Sequence, residues 1–323
     1  MGPVKENNII CCGNIAFDLI SSAPKKHGHC KIQARPGGSV LNTAVHLARL
    51  GLPVSIMAKT GTDRLSGILV DALKGSGVDT SLLVPDKKIR TGLAIASLDK
   101  NGNSSYIFYS PEGKDAAFTR GQLTGKPLNN AAAFHVASLY AYNDHTFENS
   151  LYLLEQSVKK GVFSTFDPNW RPHRVKDRNK AIRRIKKLID IVSLPRMSES
   201  DIMAITGTRT LSKALRCIRP NTVVTLGEKG SLFWNGKREL YQRAFKVKVR
   251  DTIGAGDAFT AGLIYMHYIN DNNSFWDNMR DNLEFASAVS GVVCLGTGAT
   301  EALKSLRQVR LLMGRHGKKK TRP

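Results

Sequence analysis

Between Lys246 and Gly262 the hydrophobic period of the chain changes. Val247 and Val249 alternate with Lys246 and Lys248 as in a half-exposed strand, whereas Ala258, Phe259, Leu263, Ile264 and Met266 recur at helical spacing. A strand running into a helix has to turn within Asp251-Thr-Ile-Gly-Ala-Gly-Asp257. Gly254 and Gly256 permit the turn and remove the side chains that would keep an anion from the first backbone N–H groups of the helix. Those donors and the helix dipole favour an anion by up to about 1 kcal/mol in exposed settings. Asp257 would repel that anion, so it reads as a base that takes a proton from an attacking hydroxyl. The plainer reading is a helix-start carboxylate that complements the dipole.

The rest of the chain alternates in the same way. Ile9 to Gly13 reads as a buried first strand that carries Cys11 and Cys12, and Gly38 to Gly51 as a helix with Val40, Leu41, Ala44, Leu47, Ala48 and Leu50 on its apolar side. A strand from Pro53 and a helix through Leu69 and Leu73 follow. Two strands flank Asn101-Gly102, a strong hairpin signal. Further strands are expected at 132–137, 162–167, 191–194, 222–226 and just before Asp251, with helices at 151–160 and 182–189. Strand and helix in turn imply an α/β fold with a mainly parallel sheet covered on both faces, and ligands at the carboxyl ends of its strands.

At 323 residues the chain can form one large α/β domain, given roughly 150 residues per domain as a prior. Its 41% apolar and 23% charged content are ordinary for a globular protein, but a net charge of +22 is not. Much of that charge lies in Arg171 to Lys187, read as an amphipathic surface helix with a basic outer face, and in a tail at 315–323 expected to be disordered. A polar N-terminus, no apolar run of membrane length, and five cysteines without a Cys-x-x-Cys give a cytoplasmic expectation with no membrane partner, disulfide frame or zinc site.

Several polar or glycine-rich turns follow the apolar strands. Asp18 comes after the first. Gly37-Gly38 and Asn42 open the first helix, and Phe166-Asp-Pro-Asn-Trp-Arg171 closes a middle strand. Ser198 and Asp201 start a helix, Thr225-Leu-Gly227-Glu-Lys-Gly230 follows a late strand, and Asp251 to Asp257 comes last. Together they resemble the ribokinase/PfkB family of carbohydrate kinases over nearly the whole chain. The paired glycines with Asn42 are similar to its first signature and Asp251-Thr-Ile-Gly-Ala-Gly-Asp257 to its second. The resemblance implies a ribokinase-like three-layer sandwich spanning 1–314, with a small β lid from about 18–36 and 88–114 and the basic tail beyond it.

The resemblance also implies roles. Asp18, Gly37, Gly38 and Asn42 would bind sugar hydroxyls. Asp257 would deprotonate a primary hydroxyl while the amides of Gly254, Ala255, Gly256 and Asp257 stabilise charge on the transferred phosphoryl group, and Arg171 would reach phosphate. Thr225, Gly227 and Gly230 would line ATP, and Ser287 would contact its adenine. Ser198 and Asp201 stand where the family has Asn-x-x-Glu, which acts on Mg2+ through water. The shorter acid argues against direct metal contact. Asp251, Ile253, Val293 and Gly298 would correspond to a K+ loop built mostly from backbone carbonyls.

Within the family, Phe166-Asp-Pro-Asn-Trp-Arg-Pro172 together with Met197-Ser-Glu-Ser-Asp201 is most similar to bacterial fructokinases. The expectation is therefore ATP-dependent phosphorylation of fructose, with ribokinase or 2-keto-3-deoxygluconate kinase activity as the alternative. The charge supports a reading from another class, an idle kinase-like protein that binds nucleic acid. It is disfavoured because no nucleic-acid module is recognisable and Asp257 is retained. A dinucleotide-binding Gly-x-Gly-x-x-Gly and a P-loop are both absent. The lid would offer a surface for a homodimer.

Overall fold

The computed structural model describes residues 7–21, 32–98, 104–109, 116–270 and 272–320. The Asn101-Gly102 turn and parts of the expected lid, 22–31 and 110–115, lie outside them.

Four strands come early: β1 (Asn8–Cys12), β2 (Ala16–Ser21), β3 (Ile32–Gly37) and, after helix α1 (Ser39–Arg49), β4 (Val54–Thr60). Helix α2 (Arg64–Gly75) leads to the short β5 (Leu83–Pro85) and then to β6 (Gly92–Leu98) and β7 (Ser104–Tyr109). The middle holds β8 (Ala131–Ala137), α3 (Leu139–Tyr142), α4 (Phe147–Lys159), β9 (Phe163–Asp167), α5 (Arg178–Ile191) and β10 (Leu194–Ser198). The last part holds α6 (Glu199–Thr206), α7 (Leu211–Arg216), β11 (Thr222–Thr225), β12 (Ser231–Trp234), β13 (Glu239–Gln242), α8 (Ala255–Ile269), α9 (Asn272–Asp277), α10 (Met279–Val293) and α11 (Leu306–Lys320).

Nine strands form the central sheet in the order β13-β12-β11-β10-β9-β8-β1-β4-β5. From β5 to β11 every pairing is parallel, and β12 and β13 extend the sheet antiparallel. Side chains alternate across the strands, so Ile9 and Cys11 pack with α1 and α8 on one face while Ile10 and Cys12 pack with α4 and α5 on the other. This is the expected three-layer arrangement, and it explains why the inner strands read as continuous apolar runs. A second sheet, β3-β2-β6-β7, pairs β2 with β6 in parallel and holds the expected hairpin of β6 and β7.

Two expectations need correction. Residues 246–249 join no strand. Phe245 is buried and Val247 packs against α10 near Gly291, so one side of the alternation is satisfied by a helix instead of a sheet. The strand expected at 191–194 begins only at Leu194, because α5 continues to Ile191. The antiparallel pair β12 and β13 was not foreseen. At the other end, α11 crosses position 314 and runs to Lys320, so no break in secondary structure marks off the basic tail expected to be disordered.

Candidate active site

Asp257 is the third residue of α8, whose cap is Gly254 in the left-handed region at φ 77. A Cβ on Gly254 would come within 2.6 Å of the Ala299 carbonyl oxygen, so both the turn and its packing require glycine. α8 packs on α1, and the α1 side chains grip the carboxylate. Ser39 Oγ donates to Oδ1 at 2.5 Å and Asn42 Nδ2 donates to Oδ2 at 2.8 Å. Burial pushes the Asp257 carboxyl up to about 6, against the two hydrogen bonds and with Asp167 adding to the rise. The first helical bond of α8 runs from Ala258 N–H to the Gly254 carbonyl, which places Gly256 and Asp257 N–H in the unpaired first turn. The Ala255 N–H, expected to join them, donates instead to the Thr252 carbonyl at 3.2 Å.

Asp18 lies within β2 of the small sheet, opposite Arg35, and not in a turn after β1. Its carboxylate occupies the space a Cβ on Gly37 would need, and burial raises it to about 6. Gly38, at φ 108, brings the backbone against the Asn14 carbonyl and starts α1. The small sheet, the start of α1 and the start of α8 therefore meet, with Asn42 Oδ1 buried and unpartnered among the described residues.

A cavity of ≈ 750 Å³ lies on the α10 side of this junction, lined by Thr225, Gly227, Gly230, Ser287, Ala255, Phe259 and Arg196 among others. The four residues expected along a nucleotide are thus brought together. At Gly230, φ 116, a side chain would collide with the Gln242 carbonyl, so this loop too requires glycine. The volume is in the range of small-molecule sites.

Between cavity and carboxylate lies a set of charges from neighbouring strand ends. Arg196 on β10 pairs with Asp167 at the end of β9, at 2.5 Å, and donates to Thr225 Oγ1 at 2.7 Å. Asp201 closes a capping box with Ser198, accepting from its N–H at 3.4 Å while Ser198 Oγ accepts from Asp201 N–H at 3.1 Å. Burial and then the nearby Asp167 raise Asp201, whereas Arg196 and Arg171 lower it. Arg171 donates to the Trp170 carbonyl at 3.1 Å and is near enough to Asp201 to act on its carboxyl. Two strained residues edge this ground, Ser138 at φ 63 and Asn169 at φ 40, joined by a 3.1 Å hydrogen bond from Asn169 Nδ2 to Ser138 Oγ.

Asp251 ties the expected cation loop together, accepting from Ile253 N–H at 3.0 Å and from Gly298 N–H at 2.7 Å. Each carboxylate oxygen thus holds the loop itself with one lone pair left, and the backbone carbonyls are the loop's other oxygens. Val293 ends α10 just before it.

Sequence reasoning missed Ser39, Asp167 and Arg196. Ser39 precedes Asn42 by three residues on one helix face, which is a readable spacing. Arg196 is a cation inside an otherwise apolar central strand, and such a cation needs a buried partner.

Polar groups at the carboxyl ends of parallel strands, around a cavity of this size, mark an α/β enzyme acting on small molecules. Residues 6–306 match the model of the pfkB family carbohydrate kinases, and the chain belongs to that family, whose members are phosphotransferases. It is 28% identical to fructokinase-1 of Oryza sativa subsp. japonica over 285 residues, covering 86% of this chain and 88% of that protein. Among solved structures, fructokinase with bound ATP from Xylella fastidiosa superposes with TM-score 0.88 at 23% identity, covering 97% of this chain and 100% of that one. A fructokinase double mutant from Vibrio cholerae O395 in fructose, ADP and potassium ion bound form gives 0.83 at 24% identity, covering 96% and 99%. Among the described residues no helix is long and apolar enough to cross a membrane.

Proposed function

We propose that this carbohydrate kinase transfers the terminal phosphoryl group of ATP to a primary hydroxyl of a free monosaccharide, with fructose as the preferred acceptor. The observation that carries the reading is Asp257, a buried carboxylate held by Ser39 and Asn42 beside a nucleotide-sized cavity and raised to about 6. A base with that affinity is ionised at neutral pH yet able to accept a proton. Asp257 removes the proton of the acceptor hydroxyl, and the Gly256 and Asp257 amides meet the charge on the phosphoryl oxygens. Asp18 and the free Asn42 Oδ1 accept from sugar hydroxyls. Arg171 is assigned to phosphate.

The fructokinase relatives and the Ser198 to Asp201 element support fructose over ribose or 2-keto-3-deoxygluconate. A sugar panel in a coupled ADP-release assay tests it. Turnover on ribose without turnover on fructose would reverse the order. Family membership favours this enzymatic reading over an idle nucleic-acid binder.

Magnesium bound with ATP would neutralise phosphate charge, and Asp201 and Asp167, whose oxygens already hold protein donors, fit it through water. The Asp251 loop fits potassium through carbonyls, and activity in potassium against tetramethylammonium salts tests that role. A homodimer through the small sheet is proposed from the exposed Ile107 and Tyr109, and light scattering tests it.

A further inference from the structure

Arg196 is 7% exposed within a central strand, a costly place for a cation. Asp167 and Thr225 take its two terminal nitrogens, while its Nε–H is buried with no partner among the described residues. A buried charged donor left unsatisfied points to an acceptor supplied by a ligand. The surroundings say which ligand. The guanidinium lies against Gly256, where a Cβ would come within 2.8 Å of both terminal nitrogens, and it lines the cavity together with Thr225 and Ala255. It therefore stands where the cavity meets the free N–H groups beside Asp257, and only a glycine at 256 lets it stand there.

We infer that Arg196 touches the phosphoryl group in transit, adding a fixed planar cation to the Gly256 and Asp257 amides; this rests on the reading of the cavity and Asp257 given above. In the step, the bond from phosphorus to the ADP oxygen breaks and the bond to the sugar oxygen forms. The sugar proton goes to Asp257, and Arg196 keeps its own protons. Asp167 holds the guanidinium in orientation, a job for arginine's planar fork and not for a point charge. A purely structural role, neutralising Asp167, would make no distinction between ATP and ADP.

The test is calorimetric binding of ATP and ADP, each with and without Mg2+, with fructose turnover, in R196K, R196M and the double variant R196M/D167N. The double variant removes the unpaired carboxylate charge, and its metal-free arm takes the magnesium role of Asp167 out of the comparison, so the comparison survives if R196M alone fails to fold. The methionine variants are expected to bind ATP about 10-fold more weakly while ADP stays within about twofold, and to lose roughly 10²-fold or more in kcat, with R196K regaining part of it. A wild-type ratio of ATP to ADP affinity in the methionine variants overturns the contact. D257N is run beside them. Its near-normal turnover would remove the base assignment, while the affinity ratio still decides the role of Arg196.

Discussion

Asn42 reaches across 215 positions of sequence to donate a 2.8 Å hydrogen bond to Asp257, so the first helix of the chain holds the carboxylate of the eighth. The partner donor, Ser39, lies one turn earlier on α1 and takes the other oxygen. Each carboxylate oxygen keeps a further lone pair for a substrate proton.

Replacing Asp257 by Asn keeps size and polarity but removes the proposed base. Turnover is expected to fall by roughly 10²–10⁴-fold, with ATP affinity by calorimetry little changed. Near-normal turnover would exclude the assigned role.

If Asp257 is the base proposed above, the acid limb of kcat/KM should fall near pH 6, because the base must be ionised to act and burial has raised it to about 6. Ser39 and Asn42 oppose that rise. In S39A the limb should move to higher pH, and a limb that stays in place would separate Ser39 from the titration.

Gly37→Ala puts a methyl group where the Asp18 carboxylate now lies. The carboxylate has to move, so KM for the sugar should rise roughly 10-fold or more while KM for ATP holds, on the scale of one lost buried hydrogen bond to a charged group. Equal changes in both would show that the damage is general.

Burial pushes His46 down to about 3 and His135 down to about 4, so both are neutral in the fold. Below the unfolded histidine value the unfolded chain binds more protons, and stability falls with pH. At about pH 5 the loss is about 2 kcal/mol per histidine. Asp18 and Asp257 act in the opposite sense, since their raised values favour the protonated fold between about 4 and 6. His135→Gln should therefore shrink the drop in urea midpoint between about pH 7 and about pH 5, and an unchanged drop would mean that His135 is not titrating as described.

Much of this was legible in the sequence because periodicity and glycine carry it. The strand and helix alternation, the early hairpin and the glycines at 37, 38, 230 and 254 all follow from backbone requirements that few other residues meet. What stayed hidden depends on tertiary pairing. Val247 and Val249 look like a strand, and only the helix packed against Phe245 and Val247 reveals that no neighbouring strand is needed. Pro195 and Arg196 disguise β10, since a proline and a cation argue against a central strand until Asp167 is seen beside them. Ser198 and Asp201 carry both readings at once, as a helix cap in the fold and as an acid facing Asp167.

The grip of α1 on Asp257 also bears on how such a chain comes into being. A ribosome that has produced everything up to β13 has made every strand of the central sheet and the α1 donors Ser39 and Asn42, yet not the carboxylate they hold. Prematurely released polypeptides therefore leave both donors without their acceptor, and the two ends of the chain are joined only when α8 emerges and docks against the first helix.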